Sequence, residues 1–451
     1  MPVLISANNL STSLLYSGSG TQAYLMPGVT ISNAITVVVE LSGFHGGFVS
    51  DGTILALWDG AGLQMDEPES YLIFGSSSIY RSDATAGTPG MLSLGGSSSV
   101  TNHGLISAVE AVGLAMLNGD NSIYNDGTIE GGTGGLFLGI NGGVGDRLVN
   151  DGTIIAGNVR LSALDPRFYN AVQIEGDGSV HVNHGTLSAI AAFGAGVNIG
   201  TSSFTGAGSR VENYGAITSA LWWGVNMHLL TDGGATLVNR GLITGGTGGV
   251  QGSGFDDVMT NSGTVQGKID LGAGNDLYDG RGGVVFGLNS GGIGNDTMIG
   301  GALDDNLFGD IGNDVMRGGA GDDVISASNG FDTIFGGAGD DTVSGGFTRD
   351  VMTGGAGADV FVFANNAEIG NSVATSDVIR DFTKGLDVLD FSALPGTQTY
   401  IGSASFSNFA GQLRYTAATG ILEGDTNADG IADFSLNLGV GTVLAAGDLV
   451  L

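Results

Sequence analysis

The chain has 451 residues, 85 of them glycine and only 6 proline, with 42% apolar and 13% charged residues and a net charge of −32. Such acidity excludes the basic face that nucleic-acid binding needs and disfavours unaided binding to anionic lipid; the lack of cysteine removes disulfides, thiol chemistry and thiolate metal sites. The apolar content is too high for a disordered chain, and with so much glycine it describes a turn-rich β architecture of two or three domains.

The chain opens MPVLISANNLSTSLLYSG, without the basic stretch and long apolar core of a cleavable signal. No run of eighteen apolar residues suggests a membrane span. Residues 1–48 read as a polar, strand-rich cap over the open end of the repeats that follow.

Residues 49–265 carry a repeat built on N-x-G-x-I, as in TNHGLI from Thr101, YNDGTI from Tyr124, VNDGTI from Val149 and VNRGLI from Val238. Its glycines (Gly104, Gly127, Gly152, Gly185, Gly215, Gly241, Gly263) lie 22 to 33 residues apart, the length of one coil of a parallel β-helix. Some coils hold a second apolar alternation, such as GGLFLGI from Gly134 and AGVNIG from Ala195. Asparagines stacked coil on coil at the turn are expected to form a hydrogen-bonded ladder. His103 and His184 share a turn position with Asp126, Asp151, Tyr214 and Arg240, which marks them as variable turn residues. The stretch LDPRFYN interrupts the repeat and offers Asp165, Arg167 and Tyr169, an acid, a cation and a phenol. A lyase or epimerase acting on a uronate needs a cation and a base of this kind; an insertion loop between coils is the plainer reading. Trp222 and Trp223 offer either a stacking patch or one ring in the core with one on the flank.

Residues 266–362 change register. From 291 to 362 the chain repeats every nine residues, from GGIGNDTMI to GGAGADVFV, with aspartate at each sixth position: Asp296, Asp305, Asp314, Asp323, Asp332, Asp341, Asp350 and Asp359. LGAGNDLYD places Asp276 in the same role, out of frame, and the passage from TNSGTV to NDLYDG shows no linker, so the helix is expected to continue into this array. The G-G-x-G-x-D-x-U-x pattern is that of a calcium-binding parallel β-roll. Two units make a coil, so Asp296, Asp314, Asp332 and Asp350 should line one edge and the other four the opposite edge. The apolar eighth positions should point inward from very short strands.

Coils about 4.8 Å apart bring like charges close enough to repel by about 1 kcal/mol even in water. A hard divalent cation held by carboxylate and carbonyl oxygens reverses the sign of that contribution, and Ca2+, which accepts six to eight oxygens in loose geometry, suits it better than magnesium. Binding should weaken beside Leu303, Thr348 and Ala327–Ser328, which replace glycines, whereas Asp310 offers an added ligand.

Residues 363–451 contain DVIRDF from Asp377, KGLDVLDFSAL from Lys384, GQLRY and LEGDTNADGIADFSLNL, and the chain closes with DLVL. In that last stretch Asp425, Asn427, Asp429 and Asp433 match the first part of an EF-hand-type loop with Gly430 at the turn, but Leu436 stands where the bidentate glutamate would be. The stretch is either a weak extra calcium loop or a hairpin turn.

The nonapeptide array resembles the RTX repeats of proteins exported by bacterial type I secretion systems, and the segments after it resemble the C-terminal domain of the serralysin family. The family's zinc protease motif H-E-x-x-H has no counterpart here. The resemblance implies secretion from a Gram-negative bacterium through the type I machinery, read from the acidic-then-apolar terminus, with calcium-dependent folding outside the cell. The expected fold is all-β: a parallel β-helix continuing into a calcium-binding β-roll, capped by a β-rich C-terminal domain. The expected function is non-enzymatic and structural or adhesive, in a matrix or surface layer. Partners would be the exporter, a cell-surface or matrix glycan, or further copies of the chain. The competing expectation is a polysaccharide lyase or epimerase on the β-helix.

Overall fold

The computed structural model describes residues 207–370 and 375–451 throughout, and 97–200 except 109–111, 118–119, 133, 141–144, 158–169, 176 and 191–193; before residue 97 it describes mainly strand backbones. The chain divides into two compact units, residues 1–259 with 263–268, and residues 260–262 with 269–451.

In the first unit each coil supplies one strand to each of three parallel sheets. Ser122–Asn125, Thr128–Gly131 and Gly134–Ile140 form one such coil. Its first two strands pair in register with Arg147–Asn150 and Thr153–Ala156 of the next. The repeat dictates this geometry. The isoleucine of N-x-G-x-I begins an inward column (Ile106, Ile129, Ile154, Leu187, Ile217, Ile243) of side chains at most 3% exposed. The glycine is fixed by backbone approach: a Cβ on Gly152 would lie 2.1 Å from the carbonyl oxygen of Gly127, and one on Gly185 1.9 Å from that of Gly152. Any side chain there would push successive coils apart.

Two residues before that glycine the asparagines stack as expected. Nδ2 of Asn102 donates to Oδ1 of Asn125, Asn125 to Asn150, Asn150 to Asn183, Asn183 to Asn213 and Asn213 to Asn239, at 2.7–2.8 Å. The same Nδ2 atoms also reach the glycine carbonyl two residues on, as from Asn150 to Gly152. A second buried polar ladder, from Asn226 to Asn198 to Gln173, runs through the third sheet. It escapes a reading that takes AGVNIG as an apolar alternation. Strands of the segment 1–48, expected as a strand-rich cap, belong to the same sheets: Gln22–Leu25 pairs in parallel with Gly47–Ser50, and Thr30–Asn33 with Thr53–Ala56. Parallel pairing starts earlier than the N-x-G-x-I signature because the backbone ladder does not require that turn.

The second unit is a roll of two parallel sheets with an 18-residue coil. Val315 pairs with Thr333 and Thr333 with Val351 in one sheet; Val324 pairs with Thr342 and Thr342 with Val360 in the other. Each eighth-position side chain from Met298 to Phe361 is at most 1% exposed. The strands are longer than expected: Val315–Ala320 and Thr333–Ala338 each run six residues, through the glycine pair of the following unit. The second glycine takes positive φ (Gly319 +122°, Gly337 +135°) yet keeps the ladder going. Strands Val378–Ile379 and Val388–Asp390 add a further coil to both sheets. Beyond them Gln412–Thr416, Ile421–Asp425 and Phe434–Asn437 form an antiparallel meander. Phe391 lies between Phe363 and Phe434, with ring centroids 5.2 and 5.9 Å away.

Candidate metal centre

The sixth-position aspartates are almost fully buried, none more than 9% exposed. Each sits just before an inward strand, so its carboxylate lies against the turn of the neighbouring coil. On one edge Oδ1 of Asp296 accepts the backbone N–H of Asp276, and the pattern repeats from Asp314 to Asp296, Asp332 to Asp314 and Asp350 to Asp332. On the other, Asp323, Asp341 and Asp359 accept from Asp305, Asp323 and Asp341 in turn. The two edges are those the nine-residue period implies, and Asp276 heads the first despite its break in frame.

Both columns extend past the array, to residues sequence reasoning missed. Asp377 accepts the amide of Asp350, and Asp387 that of Asp359. Both keep the D-x-apolar signature, Asp377–Ile379 and Asp387–Leu389, after the glycines have gone, and that signal was available in DVIRDF and KGLDVLDF. Asp381 caps the last unit by accepting the amides of Gly354 and Gly355.

One oxygen of each carboxylate is thus satisfied by an amide. The other is not: Oδ2 of Asp314, Asp323, Asp332, Asp341, Asp350, Asp359 and Asp377 is buried without a hydrogen-bond partner among the described residues. It points into the space the leading glycine leaves open. A Cβ on Gly318 would lie 2.1 Å from Asp323 Oδ2 and 2.6 Å from the carbonyl oxygen of Gly336; on Gly336 it would lie 2.4 Å from Asp341 Oδ2 and 2.5 Å from the Gly354 oxygen. A carboxylate and a carbonyl from successive coils therefore converge where no side chain fits.

The electrostatics agree. Burial pushes the carboxyl of Asp332 and Asp359 up to about 6, Asp314 and Asp323 to about 7, Asp377 to about 8 and Asp350 to about 9, against the amide bonds that lower them. Burial is the larger cause and repulsion between neighbours the smaller, so desolvation outweighs the stacking repulsion that the spacing suggests. Among the described residues no three carboxylate or imidazole side chains converge on one point. Each coil gives one sixth-position carboxylate per edge, and the remaining donors would be backbone carbonyls. An all-oxygen, anionic donor set with unserved buried atoms fits Ca2+, held by the sixth-position aspartates and glycine carbonyls, which supplies the positive charge these oxygens lack.

The departures from consensus differ in effect. Leu303 leaves positive φ, and the altered turn lets Gly301 donate to Asp305 Oδ2, which quenches that oxygen. Thr348 and Ser328 instead hold φ of +84° and +79°, keeping the glycine geometry. Asp310 does the same at +73°, and its carboxylate accepts from the Ser290 hydroxyl.

Asp425 ends strand Ile421–Asp425, and Asn427, Asp429 and Asp433 lie in the loop that leads from it to the antiparallel strand Phe434–Asn437. Its oxygens serve its own backbone and side chains: Asp425 accepts from Ala428 and Gly430, Asp429 from Ile431, and Asp433 from Thr426 and the Asn427 amide. The flanking strands pair as a hairpin, and the loop does not join either column.

In the first unit the turn side chains pair along the surface. His103 meets Asp126 and His184 meets Asp151, both at 2.7 Å, while Tyr124 donates to Asp151. The hydrogen bond from His184 holds Asp151 below the usual carboxylate range. Trp223 is buried under the Lys268 ammonium, 4.9 Å from the ring centroid, and Trp222 is half-buried, one ring in and one on the flank. Asp165, Arg167 and Tyr169 lie outside the described residues.

Residues 290–325 and 326–361 match the RTX calcium-binding nonapeptide repeat (4 copies). No curated protein matches the chain. Among solved structures, the AlgE6R3 subunit of the Azotobacter vinelandii mannuronan C5-epimerase is similar at 29% identity over 33% of this chain and 78% of that one, with a TM-score of 0.18.

Proposed function

We propose that this chain is a secreted, non-enzymatic calcium-binding repeat protein of a Gram-negative bacterium, whose β-helix is the working surface in a matrix, surface-layer or adhesive role. Its roll folds on calcium after type I export. The observation that carries this reading is the pair of carboxylate columns with buried, unserved oxygens. Such columns are unfavourable where calcium is scarce and favourable where it is abundant, as outside a cell. The described turn residues of the helix pair with one another on an exposed surface, which suits a repetitive contact face more than a reaction centre. Among the described residues no helix is long and apolar enough to cross a membrane.

Export would have to precede folding. In the folded chain Leu449 pairs with Leu389, Phe391 donates to the Val450 carbonyl, and Asp448 accepts the Gly385 amide, so the terminus is docked. A reporter fused to the last ~80 residues should leave cells that carry a type I exporter, and the same fusion without Asp448–Leu451 should stay inside. Equal export of both fusions refutes the assignment. Incubating the calcium-loaded protein with uronate and neutral glycans, scored for binding and for cleavage, tests the role of the helix. Cleavage of any of them would replace the adhesive reading with a carbohydrate-active enzyme.

A further inference from the structure

The residues that depart most from the nonapeptide consensus gather at one place. Fifth positions along the first edge run Asn275, Asn295, Asn313, Phe331 and Arg349. The asparagines form an exposed ladder, each accepting the backbone N–H of the next, and it ends where Asn313 accepts from Phe331. Phe331, Phe347, Thr348 and Arg349 then line a cleft of about 640 Å3 with Asn366, Thr375 and Asp433.

Three features separate this cleft from an ordinary gap. Phe331 and Phe347 are 63% and 42% exposed, and Phe331 puts an aromatic ring where the preceding coils of this edge carry Asn295 and Asn313, a large cost in apolar surface. Thr348 is β-branched yet held at φ +84°, tied by its hydroxyl to the Gly330 carbonyl; strained backbone of this kind collects at ligand clamps. Two polar groups are also unspent. Arg349 is half-buried and makes no hydrogen bond or ion pair among the described residues, although Asp350 and Asp377 feel its charge. Asn366 donates from Nδ2 to Thr426, while its Oδ1 is buried with no partner among the described residues. Asp433 is already engaged by Thr426 and Asn427.

We propose that this cleft binds a ring bearing a carboxylate, with the ring against Phe331 and Phe347 and the carboxylate on the Arg349 guanidinium. A guanidinium presents its donors in a planar fork matched to a carboxylate, and a few polar groups among aromatic walls is the usual build of a small-molecule site. Ring acids of two sources share this chemistry, a phenolic acid and a uronic acid. The inference is independent of the export route and of what the β-helix contacts.

The test uses the full-length, calcium-loaded protein and ligand-observed NMR with 4-hydroxyphenylacetate and galacturonate. Each is paired with its uncharged counterpart, 4-hydroxyphenylethanol or galactose. Saturable binding of one acid, at least about ten-fold tighter than its uncharged partner, is expected, and it identifies the source. Arg349→Gln should abolish that preference, and Phe331→Ser, at a largely exposed position, should weaken binding about ten-fold without shifting the calcium midpoint measured by circular dichroism. If neither acid saturates, if the uncharged partners bind equally, or if both variants bind as the parent does, the proposal is wrong.

Discussion

The two units solve the same stacking problem with different side chains. In the first, Asn102 to Asn239 stand one above another; in the second, the sixth-position aspartates do. An asparagine amide carries both donors and an acceptor, so each rung feeds the next and the ladder closes on itself. A carboxylate is acceptor only. Asp314, Asp323, Asp332, Asp341, Asp350 and Asp359 each take one amide at Oδ1 and leave Oδ2 buried with no partner among the described residues. Exchanging one nitrogen for oxygen, coil after coil, turns a self-sufficient stack into one that needs a cation from solution.

The sharpest way to break this comparison is to move a carboxylate into the asparagine ladder. Asn150→Asp removes the donor to Asn183 and to the Gly152 carbonyl and buries a charge with no cation beside it. The first unit should lose about 2–4 kcal/mol, read as a lower urea midpoint at unchanged slope. An unchanged midpoint would mean that the ladder contributes little.

Proton linkage sharpens the contrast, since the two units should respond to pH with opposite sign. Unfolded aspartates take up protons near pH 4, and those of the metal-free roll do so between about 6 and 9. Protonation thus favours the folded metal-free roll: that stability is complete below about pH 4 and is lost as pH rises through 6 to 9. In chelator the roll should be more ordered at pH 5 than at pH 8 by circular dichroism. The first unit holds His181 in its apolar column, paired with Leu148 and Val211, with neither ring nitrogen hydrogen-bonded among the described residues and burial pushing it down to about 3. Its contribution is complete above 6.5 and is lost as pH falls toward 3, by about 1.4 kcal/mol per pH unit. Asp146, which burial raises to about 6, opposes it below that pH, so His181→Leu isolates the effect by removing this slope. Parallel pH slopes for parent and variant would contradict it.

The smallest expected difference lies within the roll. Asp305 already has its second oxygen served by Gly301, whereas Asp323 and Asp341 do not. Calcium titration should show that Asp323→Ala or Asp341→Ala weakens apparent affinity several-fold more than Asp305→Ala. Equal losses would show that the Leu303 turn is irrelevant to the metal.

Much of this was legible in the residues because repeats translate period into position. A nine-residue period with a fixed aspartate and a fixed apolar residue determines which carboxylates share an edge and which side chains point inward. N-x-G-x-I likewise announced the asparagine ladder, though not the glycine-to-carbonyl approach beside it. The extension of the columns to Asp377 and Asp387 was hidden because the glycine frame dissolves while the stacking persists. The difference between Leu303 and Thr348 was hidden too, since composition does not reveal that one turn relaxes and the other keeps its strained φ. The cleft at Phe331 and Arg349 joins loops to the short helix Asn366–Ile369, a proximity no local pattern encodes.

Hydrogen exchange on the full-length protein at pH 8, with calcium and then with chelator, tests the central claim directly. Removing calcium should abolish amide protection across residues 296–359, where the carboxylate columns lie, and leave residues 121–156, on the asparagine ladder, as protected as before. Protection retained in 296–359 without calcium, or lost equally in both segments, would contradict the account.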